Sequence, residues 1–222
     1  MLSAEDSVWS RREANPTEII SANLYNLIIG LTLLWGFAVN YLMVTNIEVE
    51  TIMAIPFPAI MIGYFISAFI GIALYTSSDK PIVSFIGYNL VVLPIGVLLI
   101  PILSQYDEMI IQKALSATGA VTATMMMLGA AHPAFFLSLG RVLFLSLFLA
   151  ILFELGMIFF GAGVPSIMDW VVAVIFCGYI GYDWARANVI PKTVDNAIDS
   201  AASLYLDIIN LFIRILSILG RR

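Results

Sequence analysis

Seven apolar runs, each longer than twenty residues, decide what this chain can fold into. They lie at 19–43, 53–76, 81–103, 110–131, 136–160, 165–189 and 195–218 of a 222-residue chain. A bilayer core ~30 Å thick is crossed by about 20 apolar residues in a helix, so every run can span. Backbone groups in lipid must find their partners within the segment, and helices meet that requirement. The runs predict an all-α polytopic membrane bundle of seven transmembrane helices. A polar segment over 1–18 leads in, one seven-helix domain occupies 19–218, and a basic tail closes the chain at 219–222. The connections leave no room for a soluble domain.

Composition agrees and removes other classes. Hydrophobic residues make up 61% of the chain and charged residues 11%, against about 25% charged in soluble proteins. One cysteine, Cys177, allows neither an internal disulfide nor a cysteine-based zinc site. His132 is the single histidine, which removes the usual catalytic and metal-ligand repertoire. With a net charge of −5 and no basic patch, nucleic acid is not an expected partner. The N-terminal charges (Glu5, Asp6, Arg11, Arg12, Glu13, Glu18) are mixed and no small-residue cleavage site follows the first run. It therefore reads as an anchored helix, not a signal peptide.

Lysine and arginine in short loops set orientation. Arg11 and Arg12 precede span one, Lys80 lies between spans two and three, Arg141 begins span five, and Arg186 and Lys192 lie between six and seven. The alternate loops carry Glu48, Glu50, Asp107, Glu108 and Asp169, with Lys113 as the exception. The N-terminus is expected in the cytoplasm. Seven spans then leave Arg221 and Arg222 on the far side, against the rule: either the last segment is re-entrant or, the preferred reading, two terminal bases are too few to matter.

So few charges make each one inside an apolar run informative. On span seven, Asp199, Ser203, Asp207, Asn210 and Arg214 recur at spacings of 4, 4, 3 and 4 and so share one helical face. Such a stripe must turn toward protein or water. Asp199 and Arg214 read as interfacial and solvated; Asp207 sits mid-segment. Span six offers Asp183, behind Tyr182, as its partner. Residues at equal depth on an antiparallel hairpin are symmetric about the turn, and the midpoint of 183 and 207 is 195, close to the expected turn over 188–195. Two carboxyls in a poorly solvated site cannot both ionise cheaply, so such a pair shares a proton. Protonated, it holds two helices together; ionised, it repels or attracts a cation, calcium being the tentative ion. A simpler alternative pairs Asp183 with Arg186, one turn along.

Other polar residues carry weaker signals. Glu154 in span five is a pathway candidate or an interfacial residue, and Arg141, thirteen residues away and so ~20 Å along the helix, cannot pair with it. Ser116, Thr118, Gly119, Thr122 and Thr124 suit close helix packing. Asn23, Asn26 and Asn40 are candidates for interhelical hydrogen bonds, and His132 beside Pro133 reads as a loop residue.

The stretch Ser203-Leu204-Tyr205-Leu206-Asp207-Ile208-Ile209-Asn210-Leu211-Phe212-Ile213-Arg214-Ile215-Leu216 resembles the last-helix signature of the transmembrane Bax inhibitor motif family, the Bax inhibitor and lifeguard-type proteins. Tyr182-Asp183, the seven-span layout and the short loops are similar too. The likeness is closest over the last 45 residues or so. It implies a centrally placed last helix and a pH-sensitive calcium leak gated by an aspartate pair, which by motif position is Asp183 and Asp207. Tyr182, Arg186, Ser203, Asn210 and Arg214 would support that pair. The sequence departs from the family at the end of span two, where Thr76-Ser77-Ser78-Asp79-Lys80 offers lysine and no arginine. No acid lies between Glu50 and Asp79, where some relatives carry one. The short tails suit a bacterial inner membrane.

The resulting expectation is a cation leak with no enzymatic activity, no catalytic residue and no cofactor, calcium being the transported ion. Its partners are the bilayer, calcium and protons, and the chain is expected as a monomer or weak homo-oligomer. Three other readings compete. An intramembrane aspartyl protease would also pair aspartates on adjacent helices, but the second acid sits in Tyr205-Leu206-Asp207 rather than Gly-x-Gly-Asp, and no Pro-Ala-Leu motif occurs. A proton-coupled transporter would show broken helices and an inverted repeat. A non-conducting scaffold would tolerate loss of both aspartates.

Overall fold

The structure, a computed structural model, describes residues 18–221. The N-terminal charges Glu5, Asp6, Arg11, Arg12 and Glu13, and Arg222, lie outside the described residues. Nine helices and no strand are found among them: α1 (Ala22–Asn46), α2 (Val49–Met53), α3 (Phe57–Ser77), α4 (Pro81–Leu103), α5 (Glu108–Ala131), α6 (Pro133–Ser138), α7 (Gly140–Phe159), α8 (Ile167–Val189) and α9 (Val194–Gly220). Seven are long and apolar enough to cross a membrane; α2 and α6 are short connectors. The span expected at 136–160 differs in one respect: its start is split off as α6, with Leu139 between the two helices. α9 is unbroken over 27 residues, ~40 Å of helix, which favours a full span over a re-entrant segment. It is the most buried of the seven.

The described residues form two compact units, one containing residues 18–106 and 190–203, the other residues 107–189 and 204–221. In the first, α3 and α4 cross so closely that a Cβ on Gly71 would lie 2.5 Å from the carbonyl oxygen of Gly87, and one on Gly87 would lie 2.6 Å from that of Gly71. Lipid gives helices no hydrophobic reason to associate, so close approach of small residues and interhelical hydrogen bonds do that work. Pro94 inside α4 has no N–H and leaves the carbonyl of Leu90 without its helical donor. Ser67 of α3 donates to that oxygen at 2.6 Å. Tyr88 donates to the carbonyl of Thr32 at 2.9 Å, and Asn40 to that of Val92 at 3.1 Å, tying α1 to α4. Asn23 and Asn26 face outward, so of the three asparagines Asn40 alone binds a neighbouring helix through its side chain.

The same unit holds the start of α9. Thr193 caps it by accepting the Asn196 N–H at 3.1 Å. Ser84 donates to Asp195 Oδ1 at 2.7 Å, and the Tyr25 hydroxyl lies 3.0 Å from Ser200 Oγ. Asp199, expected at a solvated interface, has both carboxylate oxygens shielded from solvent.

In the second unit α8 packs against α5, α6 and α7. A Cβ on Gly129 would lie 2.5 Å from the carbonyl of Gly181, the Phe136 ring fills the space beside the Gly181 Cα, and the Tyr182 ring lies against Gly140. Thr118 and Thr122 are buried, whereas Ser116, Gly119 and Thr124 are exposed, so the packing role expected for span four belongs to one of its faces. His132 is exposed at the corner between α5 and α6.

Candidate functional site

Asp183 of α8 and Asp207 of α9 come together in the second unit, their carboxyls close enough to share a hydrogen bond. They are 9% and 6% exposed. A carboxylate accepts and does not donate, so two carboxyls bond each other only with a proton between them. Asp207 Oδ2 is buried without a hydrogen-bond partner among the described residues, an unusual condition for a buried carboxyl oxygen. No third histidine, cysteine, aspartate or glutamate completes a metal-holding group there among the described residues.

The symmetric-hairpin reasoning that suggested the pair does not describe how it meets. The connection between α8 and α9 is 190–193, while the 183/207 midpoint of 195 already lies inside α9. Asp183 stands 6 residues before the end of α8 and Asp207 13 after the start of α9 (189 − 183 and 207 − 194). The carboxyls therefore meet at unequal distances from the turn.

Around the pair, Tyr182 is half-buried and packs against Gly140. Half-buried Arg186, one turn along α8, places a positive charge that acts on Asp183. Asn210 is half-buried and donates to the carbonyl of Leu206 at 2.8 Å. Ser203 is half-buried and belongs, with Asp199, to the first unit.

A second cluster was not read from the sequence. Arg214 is not a solvated interfacial residue: its Nη1 and Nη2 donate to Glu154 Oε1 and Oε2 at 2.7 and 2.8 Å. Nη1 also donates to Asp169 Oδ1 at 2.9 Å. Asp169 Oδ2 accepts from Ser217 Oγ at 2.7 Å and is paired with Arg221 at 2.5 Å. Glu154, the pathway candidate, is therefore an ion-paired residue, and Asp169, counted among loop acids, is 4% exposed in the first turn of α8. The terminal base that seemed to break the charge rule has an acid partner on its own side. The signal available was the stripe itself: Ser217 and Arg221 continue the 3-and-4 spacing beyond Arg214.

A profile of the family described as "Inhibitor of apoptosis-promoting Bax1" matches residues 18–222. Protein LIFEGUARD 3 of Arabidopsis thaliana is 48% identical over 84 residues, 36% of this chain and 33% of its own length. An uncharacterized protein of Helicobacter pylori strain 26695 is 32% identical over 165 residues, 70% of this chain and 68% of its own. Bax inhibitor 1 of Schizosaccharomyces pombe is 42% identical over 90 residues, 38% of this chain and 32% of its own. The matched region spans about a third of the length of the plant and yeast relatives.

Proposed function

The chain belongs to the Bax inhibitor family, and from that premise we propose that this multi-pass membrane protein is a pH-sensitive cation leak, with calcium as the ion and the Asp183–Asp207 pair as its latch. The juxtaposition of two buried carboxyls on α8 and α9 carries this reading. With one proton between them the carboxyls hold the helices together. Without it, two negative charges face each other in a medium that screens them weakly, and they separate or take up a cation. The closed form binds the proton and the open form does not, so rising pH favours the open form by linkage. Flux increases from acidic to alkaline pH. The distribution of lysine and arginine in the loops favours a cytoplasmic N-terminus.

The test is calcium entry into proteoliposomes across neutral pH, for wild type, Asp183→Asn and Asp207→Asn. An amide cannot lose the shared proton, so both variants should conduct at a level that no longer follows pH. Variants that keep the wild-type pH profile would exclude the latch.

A further inference from the structure

The Arg214 cluster has no part in the shared-proton pair, yet it lies on the same face of the same helix. Asp207, Asn210, Arg214, Ser217 and Arg221 follow one another at spacings of 3, 4, 3 and 4, one continuous stripe. Arg214 is seven residues from Asp207, ~10 Å along the axis, and Asn210 is the residue of the stripe between them. Toward the chain's end the stripe meets a stop. Arg214 forks onto Glu154 of α7 and reaches Asp169 of α8, while Ser217 and Arg221 hold the other oxygen of Asp169. Glu154 stands five residues before the end of α7 and Asp169 is the third residue of α8, so three helices are tied together near one membrane surface.

The cluster's charges balance: two carboxylates, two guanidiniums. Paired charge is the form in which ions persist near the bilayer interior, and removing one member leaves its partner uncompensated. A fixed guanidinium at a narrow place is also an electrostatic barrier to cations. We infer that Arg214 is a charged plug that closes the polar face of α9 at the end away from the α8–α9 connection, in series with the Asp183–Asp207 pair. Glu154 and Asp169 position it. The inference rests on the leak reading for its physiological meaning, but the plug itself is a statement about water access to Asn210.

Two readouts separate these claims, both in a Cys177→Ser background because the native thiol is half-buried. The first is the reaction of Asn210→Cys with a membrane-impermeant methanethiosulfonate added on the Glu154 side. The second is calcium flux across pH. With Arg214 in place the introduced thiol should be slow to react. Arg214→Gln should make it react at least tenfold faster and raise flux several-fold at every pH, without moving the pH at which flux is half-maximal. Glu154→Gln leaves the Arg214–Asp169 bond intact and should do the same more weakly, which covers an Arg214→Gln variant that fails to fold. The exchange Glu154→Arg with Arg214→Glu should return both readouts toward wild type. Unchanged thiol reactivity in folded Arg214→Gln or Glu154→Gln protein overturns the plug, whatever the flux does. A thiol that becomes reactive while no variant conducts at any pH upholds the plug and removes the leak.

Discussion

Two pairs of acids lie along the second half of α9, and they have opposite fates. Asp183 and Asp207 face each other, and in the proposed latch what reconciles them is a mobile proton. Glu154 and Asp169 are reconciled by Arg214 and Arg221, cations built into the chain. On the proposed reading, carboxyls of the same kind, in one unit, serve as a switch at one site and a fastening at the other. The difference is whether the compensating charge can leave. A shared proton departs as pH rises; a guanidinium stays charged throughout.

Variants that move compensation from one site to the other test this contrast. The largest effect belongs to Asp207→Asn, which abolishes the proton switch and should flatten the pH dependence of flux while leaving the Arg214 cluster assembled. Next, Asp169→Asn should destabilise the protein by about 3 kcal/mol, the scale for removing one partner of a buried ion pair, read as a loss of thermal stability in detergent. Glu154→Gln should have a smaller effect, because Asp169 is held by Arg214, Ser217 and Arg221 whereas Glu154, among the described residues, meets Arg214. Two glycines sharpen the comparison. Gly181 stands two residues before Asp183, and a Cβ there would meet the Phe136 ring. Gly181→Ala should cost about 1–3 kcal/mol through overpacking and displace the pH profile of flux. Gly156 stands two residues after Glu154 with nothing within 4 Å of an added Cβ. Gly156→Ala should leave flux unchanged and be neutral or stabilising by up to ~1 kcal/mol through helix propensity.

The seven spans were legible because run length alone sets them, and α9 because rare polar residues recur on a helical period. Inward and outward faces of the other helices were not legible in the same way. Lipid is as apolar as the packed interior, so Asn23, Asn26 and Asn40 look alike in sequence, and only packing separates buried Asn40 from its exposed neighbours. The ion cluster escaped because its members come from α7, α8 and α9, at separations of 45 and 60 residues from Arg214. Periodicity relates residues within one helix and has no hold on which helices meet. Hairpin symmetry pointed to two aspartates that lie together, on a premise of equal depth that the two helices do not follow. The α6–α7 break at Leu139 has no proline or charge of its own to announce it; the nearest helix-starting signal is Pro133, at the first position of α6.

The separation of the Asp183 and Asp207 carboxyls at acidic and at alkaline pH, in lipid, tests the shared-proton latch most directly. Hydrogen-bonded carboxyls at acidic pH and separated ones at alkaline pH, with the Arg214–Glu154 fork unchanged in both, is the predicted result. Carboxyls that remain bonded at a pH where the wild-type protein conducts freely would contradict it.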